Sequence, residues 1–202
     1  AGLPTGFDRI LISDENSAAV AATAARIERL GCRAKVISFE EDANQVIEGI
    51  VSAIPSGSLT VAFVDPYSLT IRFETIAKLA ACGKVDLVVL FADRMDAGRN
   101  LSYYTTGRSP KLDEFLGAGC QWRDRYEKLD SHEPNRVREF LANVYQQQLS
   151  KLGYTEFRTK TISGDRGPLY RLVYASKNPL GRKFWDIAAS YDLDGSKGLF
   201  GI

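Results

Sequence analysis

The sequence predicts an α/β protein with a doubly wound, mostly parallel sheet and a C-terminal antiparallel hairpin. Three observations predict this fold class. Over the first half of the chain, apolar runs of strand length alternate with segments of helical periodicity. Two runs, LTVAFV (59–64) and VDLVVLF (85–91), are almost continuously apolar, which is typical of strands buried on both faces of a parallel sheet. Near the C-terminus, two strand-like segments flank GDRGP, a turn sequence typical of a hairpin.

The first half of the chain predicts four strands and three helices. Each of the first three strands precedes a segment with apolar residues at helical spacing, and each such segment stops at a glycine, which suits a helix C-terminus. The predicted strands are 7–13, 32–39, 59–64 and 85–91, and the glycines are Gly31, Gly57 and Gly83. The short connections favour parallel strands joined by crossover helices.

The second half begins with residues 92–131, which are polar, aromatic and weakly periodic. A segment of this kind after a sheet strand is usually functional, so we predict a lid or an insertion, with one short helix near 111–116. The remaining predicted elements are a core helix from Val137 to Leu152, strands at 155–163 and 169–176, and a last helix around 180–188. We predict that residues 1–202 form a single domain.

The composition narrows the class of protein. Hydrophobic residues make up 45% of the 202 residues, which allows a sizeable core, and a formal net charge of +1 gives no strong overall attraction to nucleic acid. Three separated cysteines and a single histidine predict no zinc or iron–sulfur site. Free thiols and the lack of a membrane-length apolar run predict a cytoplasmic protein with no membrane partner.

Acidic residues follow the first two predicted strands. Ligands bind at the carboxyl ends of strands in open α/β sheets, so these acids are candidates for ligand binding. Asp14 and Glu15 could accept hydrogen bonds from two ribose hydroxyls, although the dipole of the following helix also favours acids there. Asp42, which precedes Ala43, could accept from an adenine amino group or could cap the helix that follows.

The third strand ends in Asp65-Pro66-Tyr67. Pro66 restricts its own φ and biases Asp65 towards an extended conformation. An amino group on a planar base could donate to Asp65 while its ring stacks on Tyr67, which predicts a site for a flipped or single-stranded base. The alternative is a strand-ending turn with a half-buried tyrosine.

The segment after the fourth strand mixes basic and aromatic side chains, a combination that suits single-stranded nucleic acid. Interspersed acids suit an ordinary solvated lid equally well. The candidate substrate-binding residues are Arg94, Arg99, Tyr103 and Lys177. A metal-dependent nuclease using Asp65, Asp93 and Asp96 is a further alternative, but these acids complete no familiar pattern and we predict no metal site.

Four stretches, taken in order, resemble the three-Cys-motif partner protein (TcmP) family, whose members look like class I S-adenosylmethionine-dependent methyltransferases. The stretches are DANQVI, LTVAFVDPYSL, VDLVVLFADRMDAGRNL and YRLVYASKNPLGRKFWDI. The resemblance runs from about Phe7 into the C-terminal tail. It implies a Rossmann-like, methyltransferase-like domain, S-adenosylmethionine as cofactor, RNA or DNA as substrate, and a three-cysteine-motif protein as partner.

The resemblance also implies roles for individual residues. Asp14, with Glu15, matches the ribose-binding acid, and Asp42-Ala43 matches the position that contacts adenine. Asp65-Pro66-Tyr67 matches the catalytic-loop motif of amino-methyltransferases.

The chain departs from that pattern at three points. Tyr67 stands where amino-methylating enzymes have a second proline, and Glu41 stands where the family has glycine. The chain also begins at the family's second strand, so the first strand and its Gly-rich turn are expected upstream of it. Two functions therefore remain open: a methyltransferase acting on nucleic acid, or a non-catalytic partner subunit of a three-cysteine-motif protein.

Overall fold

The β-strands form two sheets in the computed structural model, which describes residues 6–164 and 167–190. The chain divides between Ser58 and Leu59 into two compact units, and each is described by itself. The first unit contains a two-stranded sheet with two helices, and the second contains a four-stranded sheet with the remaining helices.

The first unit alternates strands and helices. Its elements are β1 (Arg9–Ser13), α1 (Ser17–Arg29), β2 (Lys35–Phe39) and α2 (Ala43–Ala53). The two strands are parallel, with Arg9 opposite Lys35 and Ser13 opposite Phe39. Both helices begin at a capping side chain, because Asn16 accepts from two amide groups of α1 and Asp42 accepts from the amide of Asn44.

The second unit contains four strands and a run of helices. Its elements are β3 (Thr60–Val64), α3 (Phe73–Ala81), β4 (Val85–Phe91), a π-helix (Asp93–Gly98), α4 (Leu101–Thr105), α5 (Lys111–Leu116), α6 (Trp122–Glu127), α7 (Pro134–Lys151), β5 (Glu156–Gly164), β6 (Gly167–Ser176) and α8 (Pro179–Ala189). The strand order is β3-β4-β6-β5. Only β3 and β4 are parallel, because β6 runs antiparallel to both of its neighbours.

The prediction of a doubly wound, mostly parallel Rossmann-like sheet is therefore wrong. The chain is α/β and has the C-terminal hairpin, whose turn lies in part outside the described residues. However, the four-stranded sheet is mixed and the other sheet has only two strands. Periodicity along one strand reports which side chains are buried, but it does not report which strand lies beside it. The single domain with a lid at 92–131 stays a prediction.

One face of the four-stranded sheet carries the core of the second unit. Every second residue of β4 is buried and the residues between them are partly exposed. Phe91, on the buried face, packs against Phe115 of α5 and Tyr145 of α7 at ring separations of 4.8 and 5.9 Å. On β3, Val61 and Phe63 are 58% and 63% exposed. Burial of this strand on both faces, which its apolar run predicted, is therefore wrong.

Residues 92–131 contain more helix than their weak periodicity indicates. The π-helix, α4, α5 and α6 lie in this segment, and the short helix expected near 111–116 coincides with α5. Leu112, Phe115 and Leu116 are buried, so α5 belongs to the core of the second unit. Within the described parts of the chain, no helix combines the length and the apolar character needed to cross a membrane.

Candidate functional site

The carboxyl ends of β3 and β4 lie at one edge of the second unit's sheet, because these two strands are parallel. The π-helix follows β4 at this edge. Such helices are rare and occur frequently at functional sites, because the wider turn displaces side chains from their α-helical positions. This one carries two buried acids, Asp93 and Asp96.

Asp96 is the centre of a buried hydrogen-bond network. Its Oδ1 accepts from the Tyr104 hydroxyl and from Asn100 Nδ2, the latter at 2.7 Å, and its Oδ2 accepts from Lys111 Nζ at 3.1 Å. Burial alone would raise the pKa of Asp96, but these three donors outweigh it, so the pKa lies below its usual value. Burial, followed by the bond to Asp96, raises the pKa of Tyr104. The carboxylate is therefore held ionised.

Lys111 connects this network to the loop after β3. Its Nζ also donates to Ser68 Oγ at 3.1 Å. Ser68 has a φ of +70°, which is uncommon for a residue with a side chain and must be maintained by its surroundings. Because Thr70 Oγ1 also donates to the Tyr67 carbonyl, at 3.0 Å, the loop is held at two points.

Asp93 is paired with Arg171 rather than left free. Arg171 stands opposite Phe91 in the sheet, and its Nε donates to Asp93 Oδ2 at 3.1 Å while Nη2 donates to Glu139 Oε1 at 2.6 Å. Burial would lower the pKa of Arg171, but the bonds to Glu139 and Asp93 raise it. Each buried acid of the π-helix is therefore neutralised by a cation, which leaves the nuclease alternative without a free acid pair.

The three predicted catalytic residues lie together on the loop after β3. Asp65 is exposed, Pro66 is half-buried and the Tyr67 side chain is 92% exposed. The alternative interpretation of this loop, a strand-ending turn with a half-buried tyrosine, is therefore wrong about the tyrosine. The ring of Tyr67 is available to a ligand, and Asp65 is two residues away.

A cavity of about 450 Å³ lies beside the π-helix. Two predicted substrate-binding residues, Arg94 and Arg99, line it together with Arg138 and His132. Arg94 and Arg99 make no ion pair or side-chain hydrogen bond with any described residue. The first turn of α7 contributes Pro134 to the same wall. The cavity therefore gathers positive groups from two elements.

The other two predicted substrate-binding residues lie elsewhere. Tyr103 is 54% exposed on α4 and does not line the cavity. Lys177 follows β6 at the opposite end of the sheet from the π-helix, since β6 is antiparallel to β4. It donates to the Ala80 carbonyl at 2.6 Å and lies 5.1 Å from the ring centre of Tyr154. The structure does not bring it together with Arg94 and Arg99.

The predicted cofactor-binding residues lie together in the first unit. Asp14 and Glu15 follow β1, and Asp42 and Ala43 follow β2, its parallel partner. Two bonds join these strand ends: the amide of Asp14 donates to the Phe39 carbonyl at 3.2 Å, and Ser13 Oγ donates to the Glu41 carbonyl at 3.0 Å.

The two acids of this pair differ in how far they are free to bind a ligand. Asp14 is exposed, and among the residues that the structure describes it accepts a bond only through Oδ1, from the amide of Asn16 at 2.8 Å. Asp14 therefore fits a ribose diol through its second oxygen. Asp42 instead accepts from the amide and the side-chain nitrogen of Asn44, at 2.9 and 3.0 Å, so the capping alternative describes it as it stands.

Three residues of the second unit's site, Lys111, Arg138 and Arg171, were not among the predicted site residues. Lys111 begins a short amphipathic helix, Arg138 lies on the predicted core helix beside its apolar stripe, and Arg171 lies in a strand of the predicted hairpin. Lys111 and Arg171 pair with acids that are distant in sequence, and Arg138 bonds a neighbour on its own helix. Local pattern therefore carries no signal that these three cations belong to one site. A basic residue within an otherwise apolar strand, as at Arg171, is the only available hint.

Comparison with known proteins adds little to this description. No protein-family model matches the chain, and no curated protein matches it. Among solved structures, it is similar to the crystal structure of a possible exported protein from Bordetella parapertussis, with 13% identity and a TM-score of 0.37. The match covers 84% of this chain and 53% of that one, so this chain spans about half the length of that protein. A likeness at this level assigns neither a fold family nor a function.

Proposed function

We propose that this protein is a methyltransferase-like protein that binds S-adenosylmethionine and acts on nucleic acid, with an unstacked base held at Asp65-Pro66-Tyr67. The observation that carries the proposal is the exposed ring of Tyr67, on a loop held by Lys111 and two residues from an exposed carboxylate. A base stacked on an aromatic ring contributes about 1–3 kcal/mol to binding, and the carboxylate adds a hydrogen-bond acceptor for an exocyclic amino group.

The strand ends support the proposal independently of the overall sheet. Because β3 and β4 are parallel, the loop after β3 and the π-helix after β4 occupy one edge even though the rest of the sheet is antiparallel. S-adenosylmethionine, when bound, supplies an electrophilic methyl group on a sulfonium. The chain's own contribution is to orient the acceptor: Asp65 would hold its amino group and Tyr67 its ring plane.

Binding of a fluorescently labelled single-stranded RNA or DNA tests the base site. We expect Tyr67→Ala to raise the Kd about tenfold, because one stacking contact is lost. Phe184→Ala is the matched control, since this ring is also exposed, at 67%, but lies on α8. Equal effects of the two substitutions, or no binding by the wild type, would refute the base site.

Calorimetric titration with S-adenosylmethionine tests the cofactor site. Asp14→Ala should abolish the heat of binding, whereas Asp14→Glu should retain part of it. Asp42→Ser is preferable to alanine at the second position, because serine keeps the helix cap and so separates ligand binding from the stability of α2. If titration of the wild type gives no heat, or if the heat is the same in Asp14→Ala and in Asp42→Ser as in the wild type, S-adenosylmethionine is excluded as the cofactor.

A second candidate function, that of a non-catalytic partner subunit, is favoured by exposed apolar side chains. Leu59, Val61 and Phe63 are exposed at and before β3, and Leu180 and Phe184 are exposed on α8. Apolar side chains exposed in this way often belong to a protein interface when they are contiguous, and three of these lie close together in or immediately before β3. Co-purification with a three-cysteine-motif protein, lost in Val61→Asp but kept in Thr60→Asp, supports this role, and retention in both variants counts against it.

A further inference from the structure

The described residues that line the cavity beside the π-helix carry an excess of positive charge. Three arginines line it, but Asp93 is the one acid among these residues, and Asp93 is bonded to Arg171, a cation that Glu139 shares. Arg94 and Arg99 remain without a carboxylate partner among the residues that the structure describes, and both are exposed to solvent at the cavity. Arginines gathered in this way, with no internal counter-charge, are available to an anionic ligand.

The third arginine that lines the cavity, Arg138, has one nitrogen without an acceptor among the described residues. One Nη of Arg138 donates to the side-chain oxygen of Asn135, but its Nε is buried and has no partner within the described chain. A buried N–H without an acceptor is rare in folded proteins, because the lost hydration is not replaced. Arg138, which lines the cavity, therefore has hydrogen-bonding capacity that the described chain does not use.

The start of α7 strengthens the same preference. This helix is 18 residues long, begins with Pro134 and has no side-chain cap, so the free amide groups of its first turn remain available. The helix dipole adds partial positive charge at this end, and Pro134 and Asn135 both line the cavity. The guanidinium groups and the helix N-terminus together form a site for an oxyanion.

We infer that this cavity binds a phosphate group. A fork of guanidinium groups matches the oxygens of phosphate, and a volume of about 450 Å³ is of the size of small-ligand sites and leaves room for an attached sugar. The source of the phosphate is the nucleic acid of the proposed function, on which this part of the inference rests.

The experiment uses the full chain and three probes: inorganic phosphate, a 5′-phosphorylated single-stranded oligonucleotide, and the same oligonucleotide with a 5′-hydroxyl. Arg94→Gln and Arg99→Gln are expected to fold normally, since both side chains are exposed. Each should raise the Kd of the oligonucleotide about tenfold and reduce the slope of log K against log salt by about 0.7. Arg29→Gln, an exposed arginine of the first unit, is the control and should change neither.

The probes distinguish the source of the phosphate. A preference for the 5′-phosphorylated oligonucleotide assigns the site to a terminal monoester, and equal binding of the two assigns it to a backbone diester. Under either assignment, inorganic phosphate should compete with the oligonucleotide for wild-type protein, and this competition should be lost in Arg94→Gln. If inorganic phosphate binds in an Arg94-dependent way but neither oligonucleotide binds, the proposed function fails, whereas the phosphate site stands with the free ion as its ligand.

The opposite outcome overturns the inference alone. If the oligonucleotides bind and Tyr67→Ala weakens them, but Arg94→Gln and Arg99→Gln behave like Arg29→Gln, the base site stands and the cavity is a solvated surface. Binding of inorganic phosphate that is unchanged by both Arg94→Gln and Arg99→Gln leads to the same conclusion.

Discussion

Lys111 provides the sharpest test of how the site is held together, because its ammonium group joins the π-helix to the loop after β3. We expect Lys111→Met to lower the free energy of unfolding by about 2 kcal/mol. The substitution removes two hydrogen bonds of 3.1 Å, one to Ser68 Oγ and one to the carboxylate of Asp96. Methionine keeps most of the apolar stem and a similar helix propensity, so packing and the first turn of α5 change little.

The magnitude follows from the burial of the pair. Hydrogen bonds to charged groups contribute about 1.5–3 kcal/mol to stability, and exposed ion pairs contribute less than about 1 kcal/mol. Removing one partner of a buried ion pair costs about 3–5 kcal/mol. The Asp96 side chain is 5% exposed but that of Lys111 is 34% exposed, so solvent screens the interaction and the value falls below that of a fully buried pair. A loss of ~2 kcal/mol corresponds to a fall in Tm of roughly 4–8 °C.

Urea and thermal unfolding, followed by circular dichroism, measure the effect. Lys183→Met on α8 is the control, because this lysine is exposed and makes no ion pair or hydrogen bond with a described residue; it should change stability by less than about 0.5 kcal/mol. The double variant Lys111→Met/Asp96→Asn should lose less stability than the sum of the two single variants, because both remove the same contact. Additive losses, or a Lys111→Met variant as stable as the control, would show that the bridge from the π-helix to the loop after β3 contributes nothing to stability.

Three further predictions concern acid stability and packing. The pKa of Asp96 is lowered in the folded chain, so its contribution to stability is complete above the unfolded value of about 4 and is lost as the pH falls through the lower folded value. The stability difference between wild type and Asp96→Asn in urea unfolding should therefore shrink as the pH falls below about 4. Gly181→Ala should destabilise by about 1–3 kcal/mol, since a Cβ there would lie 2.6 Å from Ser176 Cβ, and a melting temperature equal to that of wild type would contradict this. Tyr154→Phe should cost about 1 kcal/mol in the same assay through loss of the 2.9 Å bond to the Val85 carbonyl, and an unchanged midpoint would show that this buried bond is energetically neutral.

The sequence alone determined most of the secondary structure. Strands at β1, β3 and β4 and the two strands of the hairpin lie where apolar runs predicted them, because a strand or helix must turn one side towards the core and this leaves a local period. The ends of the helices are likewise determined by local sequence. Asp42 caps α2, and Gly31 and Gly83 have positive φ where helices end. The exposed loop at Asp65-Pro66-Tyr67 was found for the same reason, since an apolar run stops there abruptly.

The partners of each element were decided only by the tertiary structure. Strand β6 inserts between β4 and β5, and this one long-range pairing turns a sheet that was predicted to be parallel into a mixed one. The bridge from Lys111 to Ser68 spans 43 residues and the pair of Arg171 with Asp93 spans 78. A charge has no periodic signature, and it finds its partner only when burial makes an unpaired charge costly. Local sequence therefore placed Asp65 and Tyr67 at a strand end, whereas folding placed the cations that neutralise the buried acids and line the cavity.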